Sequence, residues 1–377
     1  MTDPALFAAP TTSAQLCEAI AEAREERRVV ELRGAGTRAG IGDPGRERAV
    51  VVMAAFSGIV EYDPGELVLT LGAGTPLAEV ARLLAANGQM LAFEPSGGTI
   101  GGVVAAGLSG PRRPFAGGVR DHVLGFEGVS GRGEAFKAGG RVVKNVTGYD
   151  LARLMSGSWG RLAALTQVSL KVVPRAKAET SVLVEGMDDE AAVAMMGAAA
   201  GSAAEISGAA HLPGLGTALR LEGFGPSVAA RVEILRGLCG AGRPIRLIEE
   251  EASRALWRGV REAMPLAKDL PLWRVTLPPA RGALLTAGLA GAGASWILDW
   301  AGGLVWIAAP EGLDVRGAAS AAGGQAMLAR APEAMRARIP ALHPEPAPTA
   351  ALRARVKAAF DPAGILDPHR FAPVNVL

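Results

Sequence analysis

Between Pro95 and Gly110 this chain nearly dispenses with side chains. The run Gly97-Gly98-Thr99-Ile100-Gly101-Gly102-Val103-Val104-Ala105-Ala106-Gly107-Leu108-Ser109-Gly110 holds little besides glycine, alanine and valine. Each glycine inside a regular element costs about 0.5–1 kcal/mol relative to alanine. Such a run is destabilising unless something must approach its backbone closely. A planar ring system or a pyrophosphate lying along it accounts for the missing side chains, and so does close packing of two chain segments.

A second glycine loop precedes it. Val29-Val30-Glu31-Leu32 reads as a strand that empties into Arg33-Gly34-Ala35-Gly36-Thr37. With Arg38 and Ala39 the loop formally matches GxGxxA, the dinucleotide fingerprint in which a strand turns straight into a helix facing a pyrophosphate. Here the next residues are Gly40-Ile41-Gly42-Asp43-Pro44-Gly45, which cannot start a helix, and no acidic ribose reader follows at the expected distance. An anion nest fits better: successive backbone N–H groups converge on phosphate oxygens, with the Thr37 hydroxyl and a charge from Arg33 or Arg38 beside them. A tight turn between strands is the plainer reading of the same residues. A third cluster, Gly139 to Gly160, sets Lys144, Asn145 and Tyr149 beside small-residue turns that include Gly157 and Gly160. Such donors suit the pyrimidine edge of a flavin, where negative charge grows on reduction. A capped helix between loops explains this cluster equally well.

Around these clusters the pattern is mixed. Thr11-Thr12-Ser13 offers N-caps for a helix with Leu16, Ala19, Ile20 and Ala23 at helical spacing. Strands are expected at 49–53 and 67–71, then a helix over 77–86 that Thr75 caps, Pro76 opens and Asn87-Gly88 stops. Residues 119–129 read as a strand, 148–155 as helix, and 162–173 as one or two strands ending at Pro174. Beyond it, Ala/Gly-rich helices alternate with strands at 218–221, 273–277 and 303–308. A proline-rich linker, 340–348, leads to a helix over 350–360. No internal repeat is visible. The division expected is 1–174, with subdomains near 12–90 and 91–174, then 175–340, and a C-terminal segment 341–377 returning to the first part.

Composition removes several function classes. Lys plus Arg is 39 against 37 for Asp plus Glu, a net charge of +2, so no nucleic-acid partner is expected. Cys17 and Cys239 stand alone and cannot ligate an iron–sulfur cluster or a thiolate zinc; they suit a reducing cytoplasm. The N-terminus has no basic region typical of a signal peptide. The most apolar stretch, Leu284 to Pro310, is broken by glycines and by Asp299, whereas a membrane span needs roughly 20 largely apolar residues. Membrane contact is expected only through partners.

In order and spacing, these clusters resemble the FAD-binding domain of the vanillyl-alcohol oxidase / p-cresol methylhydroxylase flavoproteins, and most of all the FAD-binding E subunits of bacterial glycolate oxidases. The residues that carry the likeness are Arg33-Gly34-Ala35-Gly36-Thr37, Thr99-Ile100-Gly101-Gly102, Leu108-Ser109-Gly110-Pro111-Arg112-Arg113, Arg120-Asp121-His122-Val123-Leu124-Gly125, Val143 to Asp150, Gly157-Ser158-Trp159-Gly160 and Phe360 to Leu366. It is dense over 12–174, thin over 175–340 and returns near the C-terminus. The resemblance implies an α+β fold: two subdomains with FAD between them, and a smaller α+β cap domain. By position it assigns FAD contacts to Arg33, Gly34, Ala35, Gly36 and Thr37 at the pyrophosphate, and to Pro95, Thr99, Ile100, Gly101, Gly102, Ala106, Ser109, Gly110 and Arg113 along the flavin and phosphates. Lys144, Asn145 and Tyr149 follow, then Gly157, Gly160 and Thr166 closing over the cofactor. Some relatives attach flavin covalently through a histidine in the first loop; that region here ends in Thr37, so FAD is expected to be non-covalent.

The chain departs from the family's substrate-oxidising members in one respect. Those carry clustered histidines in the cap with metal and base roles. This sequence has four, His122, His211, His343 and His369, all dispersed. No catalytic base and no metal site is therefore assigned. The resemblance implies an accessory flavoprotein working beside a larger catalytic flavoprotein subunit and an iron–sulfur subunit, in oxidation of a small 2-hydroxy acid, glycolate or D-lactate. Two other readings stay open. One is a self-sufficient FAD oxidase or dehydrogenase, with Arg112, Arg113 and Arg120 available to a carboxylate. The other is a scaffold that has lost its flavin.

Overall fold

The computed structural model describes residues 6–44, 48–141, 149–240, 242–367 and 370–371. They fall into two compact units: Met1–Ser109, Gly117–Arg175 and Pro344–Leu377 form the first, Gly110–Ala116 and Ala176–His343 the second. The excursion Gly110–Ala116 thus belongs to the second unit, although the chain on either side of it lies in the first.

Among the described residues the first unit holds two larger sheets and one two-stranded pair. Strands β1 (Leu6–Ala8), β2 (Val30–Arg33) and β3 (Ala49–Val52) make a parallel sheet in the order β1-β3-β2. Helix α1 (Ser13–Glu25) buries Leu16, Ile20 and Ala23 in the core that contains Val30 and Val51, and Thr12 caps it by accepting from the Gln15 N–H. Burying side chains of this size contributes about 1.5–3 kcal/mol each for the larger two. The other sheet is antiparallel, with order β4-β5-β9-β7-β8: β4 is Ile59–Asp63, β5 Val68–Gly72, β7 Val123–Ser130, β8 Ala135–Gly139 and β9 Ala163–Lys171. Two short strands, β6 (Gln89–Met90) and β10 (Val173–Pro174), pair antiparallel beside it. Because β4 and β5 join β7–β9, sheet formation runs across residue 90, and the small parallel sheet with α1 packs its core against Val129 of β7 and Ala164 of β9.

Local detail departs from the sequence reading at three places. Helix α2 (Leu77–Ala86) has the expected bounds, but its N-cap is Pro76. The Thr75 hydroxyl is engaged elsewhere, donating to Gly72 O at 2.7 Å and accepting from the Gly58 N–H at 2.9 Å. Residues 119–122 form one helical turn, Val119–His122, before β7 begins; Asp121 accepts from the Gly118 N–H at 2.8 Å and closes that turn. Finally, part of the side-chain-poor run is helical: α3 (Ile100–Ala106), capped by Thr99 and stopped by left-handed Gly107. A Cβ on Gly101 would lie 2.7 Å from the Ala73 Cβ, so there the missing side chain answers to packing of two chain segments.

The second unit is one eight-stranded antiparallel sheet, order β14-β11-β13-β12-β16-β17-β15-β18. Its strands are β11 (Ala178–Val184), β12 (Gly208–Leu212), β13 (Gly216–Gly223), β14 (Ile245–Glu249), β15 (Leu272–Thr276), β16 (Ser295–Asp299), β17 (Leu304–Ala308) and β18 (Gln325–Arg330). With the intervening helices Asp189–Ala200, Gly225–Cys239, Gly282–Ala287 and Val315–Ala321, the chain runs strand-helix-strand-strand-helix-strand twice. Each pass has the split strand-helix-strand order in which the third strand lies between the first and second. This is a repeat of topology that the sequence does not display. The two passes meet at one pairing, His211 opposite Leu298.

Inside this unit Arg112 grips Glu222 with both arms of its fork, at 2.7 and 2.6 Å, and Arg220 approaches the same carboxylate at 3.5 Å. Burial alone would raise the Glu222 carboxyl; the Arg112 fork and the charge of Arg220 overturn that and hold it at about 2. A depressed carboxyl stabilises the fold above its unfolded pKa, and the stabilisation is lost as pH falls toward the folded value. Glu222 should therefore contribute about 3 kcal/mol at neutral pH, draining away between pH about 4.5 and about 2. Melting curves taken from pH 6 down to pH 3 should show a steeper acid loss for the native protein than for Glu222→Gln. Parallel slopes would remove Glu222 as the cause.

Candidate functional site

Strand β2 carries Glu31 and Arg33 to the loop Gly34–Arg38, and α3 faces that loop. A Cβ on Gly34 would lie 2.3 Å from the Thr99 Oγ1, so loop and helix start are in direct contact. Beside this contact lies an open cleft of about 500 Å³ lined by Glu31 to Ala39, Thr99, Gly102, Ala105, Ala106, Trp159 and Arg370. A second cleft, about 440 Å³, shares Leu32, Gly34, Thr99, Gly102, Ala105 and Trp159 with it and adds Met53, Ala73, Gly101, Gly160, Ala163 and Leu165. The first is polar along the loop. The second is walled by small and apolar groups.

Hydrogen bonding separates the two possible phosphate-binding elements. At the start of α3, Ile100 N–H donates to Thr75 O at 2.9 Å, Gly101 N–H to Ala73 O at 2.7 Å and Gly102 N–H to the Thr99 hydroxyl at 3.4 Å. Those donors are spent. Among the described residues, the backbone N–H groups of Ala35, Gly36 and Thr37 donate to no protein acceptor, so the loop retains the donors that an anion requires. Arg38 pins the loop to the glycine run by donating to Ser96 O at 2.8 Å.

The floor beneath the loop is rich in arginine. Arg33 pairs with Glu31 at 3.1 Å, Arg48 with Glu31 at 3.8 Å and with Asp367 at 3.3 Å, and Arg370 with Asp367 at 3.6 Å. Among the described residues, four cations, counting Arg38, meet the two carboxylates of Glu31 and Asp367, an excess that favours a bound anion. Burial, and then the Arg370 charge, lower the Arg38 guanidinium; burial raises Asp367 against the pull of Arg48 and Arg370. Arg370 reaches this floor because the C-terminal segment pairs with β2: the Val30 N–H donates to Ile365 O at 2.8 Å, and the Asp367 N–H to Val30 O at 3.0 Å. Trp159, with a left-handed φ of 58°, donates its N–H to Ala105 O at 2.8 Å and carries Arg370 over its ring at 5.7 Å.

Of the residues expected to contact a cofactor, Arg33, Gly34, Ala35, Gly36, Thr37, Thr99, Gly101, Gly102, Ala106 and Gly160 line these clefts. Ile100 is fully buried in the core, and Pro95 and Thr166 are buried near the clefts without lining them. Gly157 donates to Val104 O at 3.1 Å and fixes the approach to Trp159. Ser109 accepts from the Val119 N–H at 3.1 Å. Gly110 and Arg113 belong to the second unit, and Tyr149 is 90% exposed. Lys144 and Asn145 lie outside the described residues. Trp159 and Arg370 were not assigned from sequence; the aromatic between Gly157 and Gly160 was the available signal for the first, and nothing local marks the second. His122, His211 and His343 stay apart, and His369 lies outside the described residues. His122 stacks on Phe93 at 5.6 Å between ring centroids, His211 sits 2.9 Å from the Thr217 hydroxyl and 3.4 Å from Asp189, and His343 accepts from the Ala326 N–H. Among the described residues no group of three or more His, Cys, Asp or Glu side chains is placed to hold a metal, and no helix is long and apolar enough to cross a membrane.

A bare cleft with free loop donors over an arginine floor suits a dinucleotide diphosphate with an apolar ring system beyond it. The FAD binding domain family matches residues 4–139, so fold and cleft together define an FAD-binding flavoprotein. Glycolate oxidase subunit GlcE of Escherichia coli (strain K12) is 35% identical over 370 residues, spanning 95% of this chain and 97% of that one. The chain belongs to the family of that subunit, an FAD-linked oxidoreductase family. Glycolate oxidase subunit GlcD of Bacillus subtilis (strain 168) is 30% identical over 184 residues, 48% of this chain and 39% of its own length. Among solved structures, alkyldihydroxyacetonephosphate synthase superposes with a TM-score of 0.68 over 96% of this chain and 76% of that one, at 14% identity, a likeness of fold.

Proposed function

We propose that this chain is a non-covalent FAD subunit of a glycolate oxidase, working with a larger catalytic flavoprotein subunit and an iron–sulfur subunit in the cytoplasm and meeting the membrane only through them. One observation carries the cofactor part: free loop donors over a cationic floor, continuous with an apolar cleft. The N–H groups of Ala35, Gly36 and Thr37 hold the diphosphate, with Arg33, Arg38 and Arg370 supplying charge. Gly102, Ala105 and Gly160 leave room for the uncharged parts of the cofactor, and Trp159 bounds that room. Bound FAD supplies two-electron acceptance and onward transfer. The accessory role rests on the relatives and on the sequence: the chain is similar over nearly its whole length to a glycolate oxidase E subunit, and its four histidines, His122, His211, His343 and His369, are dispersed along the chain.

The purified chain should be yellow, release its flavin on acid precipitation, and bleach only slowly with anaerobic glycolate. Adding the larger subunit should make the bleaching fast. Colourless protein after gentle purification removes the flavin role. Rapid bleaching of the chain alone replaces the accessory role with a self-sufficient dehydrogenase.

A further inference from the structure

The sequence offers Arg112, Arg113 and Arg120 to a carboxylate, and the structure separates them. Arg112 is committed to Glu222. Arg120 lies on the surface, 3.9 Å from Asp121. Arg113 does something else: its guanidinium carbon sits over the Trp300 ring, 4.5 Å from the centroid, and Arg274, from β15, sits over the same ring at 4.8 Å. Two like charges share one indole.

The surroundings hold the ring in place and leave donors in excess. Trp300 and the following Ala301 both have left-handed φ, 53° and 56°, a conformation that side-chain-bearing residues adopt only when the fold compels it and that marks functional positions. Trp300 donates its indole N–H to Gly110 O at 3.0 Å and its backbone N–H to Asp299 Oδ1 at 2.7 Å. Arg274 stands directly opposite Trp306 on the neighbouring strand, so the two side chains share a face, 5.8 Å apart from guanidinium carbon to ring centroid. The Trp306 indole N–H is buried with no acceptor, and among the described residues the guanidinium groups of Arg113 and Arg274 have cation–π contacts but no ion pair or hydrogen bond. Burial, and then the charge of Arg113, push the Arg274 guanidinium down to about 10 against the pull of Asp299. An anion between the guanidinium groups would relieve that repulsion and satisfy the donors. Arg113 is exposed, so the cluster is open to solute.

We propose that Arg113, Arg274 and the Trp306 indole N–H form a binding site for a small carboxylate anion of the 2-hydroxy or 2-oxo acid class, with Trp300 as its aromatic platform. The fork of each guanidinium matches a planar carboxylate. The choice of carboxylate over phosphate rests on the function proposed above.

The test uses the full-length, flavin-loaded protein at constant ionic strength, titrated with glyoxylate and with glycolate while tryptophan fluorescence is read. Flavin absorbance is followed in the same samples. The expected result is a saturable fluorescence change that Trp300→Phe abolishes. Arg113→Gln, at an exposed position, should weaken binding about tenfold or more, and Arg274→Lys, which keeps the charge but loses the fork, should weaken it less. The proposal falls if neither acid gives a saturable change, if Arg113→Gln binds as the native protein does, or if chloride or phosphate displaces the acid at equal concentration. Flavin content separates the two ideas: a yellow protein without acid binding loses only this site, and a colourless one that still binds glyoxylate loses only the flavin role.

Discussion

A Gly102→Leu protein should emerge from purification without flavin and yet melt no lower than the native chain stripped of its flavin. Gly102 lies within α3 but is exposed and lines both clefts. A Cβ there meets only the Thr99 Oγ1, at 3.4 Å, a contact the hydroxyl can yield to by a few tenths of an ångström. Leucine in place of a helical glycine adds up to about 1 kcal/mol of helix propensity. The same side chain fills the space reserved for the cofactor, and overpacking a fitted site by several methylene groups costs about 3 kcal/mol, a hundredfold or more in affinity. Stability and cofactor occupancy thus move in opposite directions, which a folding defect would not produce. Stoichiometric flavin in the variant would show that the cofactor does not lie over α3. Gly34→Val is the contrasting case: its Cβ lands 2.3 Å from Thr99 Oγ1, so stability and occupancy should fall together.

The second large effect is expected at Asp361, far from the glycine run in sequence. Its buried carboxylate accepts from the Ile365 N–H at 3.1 Å and the Leu366 N–H at 2.8 Å, and it pairs with Lys357. Lys357 also donates to Arg161 O at 2.7 Å and Leu366 O at 2.9 Å. These bonds turn the chain from the helix Ala347–Phe360 into the segment that runs beside β2 and delivers Asp367 and Arg370 to the cleft floor. Asp361→Ala strands two buried N–H groups and a mostly buried ammonium, a loss of about 3–5 kcal/mol. For a unit of this size that lowers the melting temperature by on the order of 10 °C. Flavin affinity should fall with it, because Arg370 loses its support. Asp361→Asn, which keeps one acceptor and the shape, should recover part of both. An Asp361→Ala protein with native melting behaviour would show that the turn is held some other way.

How much of this was legible in the chain depends on how local each cause is. The bounds of α2 could be read from Pro76 at one end and Asn87-Gly88 at the other, since start and stop signals sit in the sequence itself. The role of Thr75 could not, because its hydroxyl partners, Gly58 and Gly72, are brought together only by the folded β4–β5 pair. Helix α3 was hidden for a related reason. Ile-Gly-Gly-Val-Val-Ala-Ala has no polar face and poor helix propensity, so its form is imposed by Thr99 and by contact with Ala73. The open backbone donors of Gly34–Thr37, on which the proposed diphosphate contact rests, were readable because a nest needs only consecutive N–H groups. The arginine floor was not, since Arg48 and Arg370 arrive from separate strands and from the tail. The doubled topology of the second unit left no trace in residue order, because the same strand arrangement is met by different side chains in each pass.

Arg370 has a further consequence, for the order of events during synthesis. The other residues lining the two clefts are translated before residues 176–343 of the second unit, and Arg370, with its partner Asp367, after them. During synthesis the loop Gly34–Arg38 therefore lacks one cation of its floor until the whole of the second unit has been made.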